Sequence, residues 1–383
     1  MAIACGVGAL ILGNGFIDWN LRFGRESTIY SQLGHIRVFK RGYLESGLAN
    51  PFAYILPDDP RQIGIIESEP HVRALAPRLS VNGLISHGDA TLSFLGEGVA
   101  PDKEPLLSQS VTTTQGEALS PADPDGIVLG QGLAANLGVK PGDTVVLVAN
   151  TVNGGVNAVE ARVRGLFATI TKAYDDSALR LPIAMARQLL RLNGAHSYAL
   201  ILDQTDSTDA VLSRLRERFR GQPLEFVPWY QLADFYNKTA KLFSRQVAVL
   251  RVIVGVIIVL SISNSMMMSV LERTSEIGTS MALGTRRSAI LRLFLTEGVL
   301  LGLFGGVLGL IGGYLLAQVI TVVGIPMPPP PGMAFGYTAG INVSWPPALE
   351  AWALAIATAL IASLYPAWKA SRMTIVEAIR RNP

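Results

Sequence analysis

Charged residues crowd one short stretch of this chain. "SVLERTSEIGTSMALGTRRSAI", residues 269–290, carries Glu272, Arg273, Glu276, Arg286 and Arg287 between two long apolar runs. Glu272 and Glu276 stand four apart, so on a helix they share a face. Ile277 and Met281 repeat at the same interval, and Gly284 suits a left-handed helix end. That pattern describes a short amphipathic helix, with chemistry of ion pairing and docking rather than bond breaking. The four histidines, His35, His71, His87 and His196, are scattered without metal-ligand spacing and read as surface or locally hydrogen-bonded residues. Neither Gly-x-Ser-x-Gly nor His-Glu-x-x-His occurs, and no nucleophile, base and orienting group fall together. The chain has no Gly-x-x-x-x-Gly-Lys-Ser/Thr motif. If it uses ATP, another polypeptide must bind the nucleotide and its Mg, so no catalytic, metal or cofactor residue is expected here. The single cysteine, Cys5, excludes an intrachain disulfide and reads as a small packing residue.

The elements flanking this stretch set its surroundings. Hydrophobic residues make up 49% of the chain and charged residues 16%, against about 25% charged in an average soluble domain. Residues 252–271, 298–325 and 351–368 contain no Asp, Glu, Lys or Arg, and about 20 such residues cross a bilayer as a helix. "MAIACGVGALILGNGFI" supplies a fourth apolar segment, somewhat short and read as a truncated first helix. Short cytoplasmic loops collect Lys and Arg. The loop after 252–271 has Arg273, Arg286, Arg287 and Arg292, the tail has Lys369, Arg372, Arg380 and Arg381, and the Pro-rich loop 326–350 has none. The expected order is a first transmembrane helix at 1–17, an extracytoplasmic domain with a helical stalk at 18–246, and a second helix at 247–271. A cytoplasmic coupling loop at 272–292, a third helix at 293–325, the outer loop 326–350, a fourth helix at 351–368 and a cytoplasmic tail at 369–383 complete it. This makes an α-helical protein of four transmembrane helices with a large mixed α/β extracytoplasmic domain, multi-pass in the inner membrane. A net charge of +3 without clustering argues against nucleic acid.

Within 18–246, "GHIRVF", "VRALAPRLSVNGLISHG", "ARVRGLFAT" and "SYALILD" read as strands. "PIAMARQLLRL" and "STDAVLSRLRERF" read as helices, and "GQGLAANLGVKPGDTVVLVAN" as helix, turn and strand. From Trp229 one long helix is expected into the second span. In the third span Gly302, Gly305, Gly306, Gly309 and Gly313 form small-xxx-small repeats, which let helix backbones approach closely in lipid. Packing within the subunit and a dimer face fit them equally. Asn264 with Ser261, Ser263 and Ser265 is the polar cluster at depth, suited to bonds between helices.

"MSVLERTSEIGTSMALGTRRSAILRLFLTEGVLLGLFGGVLGL" resembles the permeases of the FtsX, MacB and LolC/LolE type through Glu272, Arg273, Glu276, Ile277, Gly278, Ala282, Leu283 and Gly284. The ending resembles that family's tail through Pro366, Ala367, Ala370, Glu377, Ala378 and Arg380, with Ile379 in place of the usual Leu. "GHIRVFKRGY" and "VLGQGLAANLGVKPGDTV" look most like the lipoprotein-releasing branch. The resemblance implies an ABC transporter permease whose extracytoplasmic part is a MacB-like periplasmic core domain. The eight loop residues would couple to a separate ABC ATPase. A second permease chain, the same or homologous, membrane lipid, and a periplasmic carrier or adaptor would be its further partners. The implied work is release or movement of a lipid-linked substrate. MacB-like efflux and FtsX-like regulation of a cell-wall hydrolase are the alternatives.

Overall fold

The computed structural model describes residues 1–47, 49–169, 171–328 and 336–373. The chain divides into two compact units. One comprises Met1–Arg22, Lys238–Met327 and Thr338–Pro383, the other Phe23–Asn237 and Pro328–Tyr337.

The first unit is helical. Among the described residues four helices are long and apolar enough to cross a membrane, and they run Ala2–Thr28, Asp234–Glu272, Arg287–Val323 and Trp345–Ser371. All four exceed the apolar stretches expected at 1–17, 247–271, 293–325 and 351–368. Hydrogen bonding along a helix does not stop where hydrophobicity stops. In the first helix an Arg22–Asp18 ion pair at 3.0 Å and i,i+4 spacing carries it past the expected end at 17. Ser344 precedes the fourth helix, whose first turn holds prolines that need no helical acceptor for a missing N–H. Gly324, with φ 75°, ends the third. The helices share a core of Val7, Leu10, Ile258, Ile262, Met266, Phe294, Ala355 and Ala359.

The helix expected to run unbroken from Trp229 is interrupted. A single turn, Trp229–Leu232, ends at Ala233, whose ψ of 60° leaves the helical region, and a new helix starts at Asp234.

The second unit is built on one sheet of ten strands. These are β1 Ile36–Lys40, β2 Val72–His87, β3 Ala90–Val99, β4 Thr112–Gly116, β5 Gly126–Gly130, β6 Thr144–Asn150, β7 Val156–Ala168, β8 Ala178–Pro182, β9 Ser197–Leu202 and β10 Leu224–Pro228. β2 organises them. The sequence suggests several short runs there, but a single 16-residue strand forms. Its first half pairs with β9 in the order β10-β1-β9-β2, against the helices Pro60–Glu67 and Thr208–Arg218. Its second half pairs with both β3 and β6, so the path β2-β3-β8-β5-β7-β6 closes on β2. Closure removes edges that would otherwise expose unpaired backbone groups. Gly83 sits where β6 crosses, and a Cβ there would meet the Val148 carbonyl oxygen. The closed path surrounds Leu79, Val81, Ile85, Ile127, Leu129, Leu147 and Leu181, with the helices Gln131–Leu137 and Ile183–Leu190 packed in.

Candidate functional site

The charged stretch folds as expected into a short helix, Thr274–Ala282, within the helical unit. Thr274 is buried, and its hydroxyl donates to the carbonyls of Val270 at 2.9 Å and Leu271 at 2.8 Å. These bonds satisfy carbonyls left without helical partners where the preceding helix ends at Glu272. Gly284, at φ 97°, reverses the chain before the next helix at Arg287. Arg273 reaches Glu297 at 3.8 Å, a half-exposed pair that fastens the loop to the following helix.

The loop helix has two faces. Thr274, Ile277 and Gly278 are buried, and Ile277 joins Val270, Ile290 and Phe294 in the bundle core with Met281 packed beside it. Glu272, Arg273, Glu276, Ala282, Leu283 and Gly284 are exposed. Leu283 stands out, an apolar side chain left 85% exposed at the loop tip. Gly278 and Ala282, four apart, therefore do not act together at the free surface: Gly278 is enclosed and Ala282 is open. The tail positions Glu377, Ala378, Ile379 and Arg380 lie outside the described residues.

The glycines of the third long helix are consumed inside the chain. A Cβ on Gly302 would stand 2.9 Å from the Ala359 Cβ, one on Gly306 2.5 Å from Trp352 Cδ1, and one on Gly298 would collide with Ser363 Oγ. These three face the fourth helix. A Cβ on Gly305 would approach Ile3 Cβ at 2.9 Å, one on Gly309 Val7 Cβ at 2.6 Å, and one on Gly313 Gly8 Cα at 3.1 Å. These face the first helix. Two stripes on one helix thus bring two neighbours to backbone distance. Asn264 and Ser265 are exposed on the second long helix.

Sequence reasoning missed the polar ties at one end of this bundle. The Asn342 N–H donates to the Gly15 carbonyl at 3.0 Å, and Thr321 Oγ1 both accepts from the Ile341 N–H and donates to its carbonyl. Arg251 pairs with Glu350 at 3.0 Å. No local signal points to these contacts, because their partners lie far apart in sequence.

The second unit hides a larger omission. Arg78 and Arg180 are almost fully buried, and both bind Glu104, at 2.8 and 3.0 Å. Arg37 pairs with Glu97 at 3.1 Å, and Arg78 lies 3.9 Å from the same carboxylate. Burial alone would push the Glu104 carboxyl up, but the two guanidinium groups hold it below the usual range. His35 and His196 are buried rather than on the surface. Their Nδ1 atoms accept from the N–H groups of Leu202 at 3.2 Å and Ser80 at 3.1 Å. Burial lowers both to about 4, with Arg25 adding to the effect at His35. His71 is exposed and His87 half-buried, and they bond to Asp203 and the Thr144 carbonyl.

Comparison with known proteins covers both units. Residues 1–218 match the MacB-like periplasmic core domain, and residues 248–375 match the FtsX-like permease C-terminal region. Over 342 residues the chain is 26% identical to the lipoprotein-releasing system transmembrane protein LolC of Xylella fastidiosa, covering 83% of this chain and 80% of that protein. It is 24% identical over 369 residues to the macrolide export ATP-binding/permease protein MacB of Rhodopirellula baltica, covering 92% of this chain and 48% of that protein. The crystal structure of the periplasmic region of MacB from Actinobacillus actinomycetemcomitans aligns with 55% of this chain and 94% of that one, at 13% identity and a TM-score of 0.38.

Proposed function

Because this chain belongs to the ABC transporter permease family that joins a MacB-like periplasmic core domain to an FtsX-like permease region, we propose that it couples ATP hydrolysis by a separate ATPase to movement of its extracytoplasmic unit. In this reading the protein is a subunit without an ATPase site of its own. It pairs with a second permease chain, the same or homologous, in the inner membrane, and the partner ATPase holds ATP and Mg. Its four helices cross the bilayer with the loop helix and the tail inside and residues 18–246 outside.

The observation that carries this reading is the two-faced loop helix. Ile277 anchors one side in the bundle while Glu272, Glu276, Ala282 and Leu283 are presented outward. An apolar residue as exposed as Leu283 at a charged loop tip suits a protein groove, where its burial would contribute roughly 1.5–3 kcal/mol. The test is a photo-crosslinking amino acid at position 283 or 300 in cells that carry the native partner genes. We expect an adduct with an ABC-type ATPase from position 283 and none from position 300, which lies exposed in the third long helix. An ATPase adduct of equal yield from both, or from neither, rejects the docking role.

For the substrate, the likeness to LolC over most of both chains supports release or movement of lipoproteins or another lipid-linked molecule, handed to a periplasmic carrier. The MacB likeness, which spans more of this chain, favours efflux through an adaptor as the second reading. Depleting the protein separates them. Lipoproteins accumulating in the inner-membrane fraction support the first, and drug sensitivity with normal lipoprotein distribution supports the second.

A further inference from the structure

Arg251 and Glu350 stand where two apolar runs begin. Residues 252–271 and 351–368, which follow them, carry no Asp, Glu, Lys or Arg. The two side chains meet at 3.0 Å and tie the second long helix to the fourth. Arg251 lies about 21 residues before Glu272, and Glu350 about 21 before Ser371. At about 1.5 Å per residue, each charge is roughly 31 Å from the inner end of its helix. The hydrocarbon of a bilayer is about 30 Å thick, so the pair falls at the level of the outer headgroups.

Beneath the pair a groove of about 770 Å³ runs between the two helices. Val252, Val256 and Leu260 line one side, Leu354 and Ala357 the other, and Leu10 of the first helix lies behind them. Val252, Val256 and Leu260 are exposed, so the groove opens sideways. From Arg251 to Leu260 it descends about 14 Å, and from Glu350 to Ala357 about 10 Å. That depth matches one leaflet, half of the roughly 30 Å core. Asn14 lines the polar end, and its carboxamide oxygen has no hydrogen-bond partner among the described residues. A Cβ on Gly13 would lie 3.1 Å from Leu250 Cδ2, which sets Asn14 level with Arg251.

Charge selects the occupant. Arg251 Nη2 meets Glu350 Oε2, which leaves further N–H donors on the guanidinium and a second carboxylate oxygen on Glu350. Among the described residues neither side chain has another ion-pair or hydrogen-bond partner. The matching ligand therefore carries one anion and one cation. A phosphate suits the planar donors of Arg251, and a primary ammonium gives its N–H to Glu350. An anionic headgroup without an ammonium would face the Glu350 carboxylate unpaired. A trimethylated ammonium has no N–H to give.

We propose that this groove is a binding site for an outer-leaflet phospholipid of phosphatidylethanolamine chemistry. Its phosphate is received at Arg251 and its ammonium at Glu350. One acyl chain lies along Val256 and Leu354, and the other stays in the bilayer. The groove has about five times the roughly 150 Å³ that holds one benzene, room for a headgroup and one chain of about thirty heavy atoms. A lipid seated there would brace the second long helix against the fourth at their outer ends. The inference rests on the membrane placement proposed above and is separate from ATPase docking and from the transported substrate.

The test strips the purified full chain of lipid in detergent, titrates it with 1-palmitoyl-2-oleoyl lipids and counts bound lipid by native mass spectrometry. We expect the phosphatidylethanolamine to saturate at one per chain. Its Kd should lie at least fivefold below those of the phosphatidylcholine and phosphatidylglycerol with the same chains. Arg251→Gln and Glu350→Gln should each erase that preference. Ala357→Phe, which fills the lower groove, should weaken phosphatidylethanolamine binding at least fivefold while the melting temperature holds. Equal affinity for the three lipids, a preference retained by either charge variant, or full binding by folded Ala357→Phe overturns the proposal. So does a dimer that Ala357→Phe dissociates while lipid binding persists, which would make the groove a seat for a second copy of this chain. Should a variant fail to fold, the headgroup ranking on the wild type still decides. The adduct from position 283 reads ATPase docking by itself, so each reading can fail alone.

Discussion

Glu104 and Arg180 meet at 3.0 Å across a separation of 76 residues, and both are almost sealed from water. Glu104 stands between two arginines, so the three side chains tie the helical turn Glu104–Leu107 to β2 and β8. Glu104→Gln keeps the shape and removes the charge, which leaves Arg78 and Arg180 with the Glu97 carboxylate, already paired with Arg37, to offset them. Breaking a buried pair in this way costs about 3–5 kcal/mol. Lys172→Ala removes an exposed pair with Asp176 and should cost under about 1 kcal/mol. Urea unfolding of residues 23–237, expected to be soluble and cooperative when expressed alone, checks both. Equal losses would mean that the buried network contributes no more than a surface pair.

Acid should weaken the same unit before its carboxylates titrate. His35 and His196 are held neutral, at about 4 against an ordinary 6.5. The unfolded chain then binds more protons than the folded one through that interval, so stability is full above 6.5 and falls as the pH drops toward 4. Between pH 7 and pH 5 each histidine should account for roughly 2 kcal/mol. His196→Asn should flatten the pH dependence of the unfolding midpoint by about half. An unchanged slope would place the titrating groups elsewhere.

Two neighbouring glycines separate packing from mere smallness. A side chain at Gly309 would run into Val7 and the Ala4 carbonyl, whereas no described residue lies within 4 Å of a Cβ at Gly312. Gly309→Ile should therefore lower the detergent-solubilised melting temperature by several degrees, and Gly312→Ile should not. If Gly312→Ile instead abolished dimerisation while the monomer stayed folded, the open face would be the one that meets a second chain.

The arginine asymmetry predicts an orientation across the membrane with the loop helix inside and residues 18–246 outside. In a Cys5→Ser background, a cysteine at position 110 should react with an impermeant maleimide in intact cells, and one at position 280 only after lysis. Outside labelling at 280 reverses the arrangement.

Much of the plan of this protein is written locally. A charge-free run of some twenty residues has few folded fates, so the four long helices could be located from composition, though polar flanks lengthened every one. Glu272 to Gly284 formed the expected short helix because its apolar spacing and its terminal glycine act within a few residues of one another. Side-chain partnership was beyond that reach. Gly278 and Ala282 have the spacing of one face, yet packing of Ile277 into the bundle enclosed the first and left the second open. The glycines of the third helix could serve a dimer or a neighbour, and contact with Ile3, Val7, Ala359 and Trp352 engaged them within the chain. Arg180 looks like an ordinary basic residue in "ALRLP". It became a buried charge because β8 pairs with β3 and β5, and the segment around Glu104 closes over that face. Periodicity and hydrophobicity are properties of neighbours along the chain, whereas strand order and the neutralisation of buried charge depend on residues brought together from far apart.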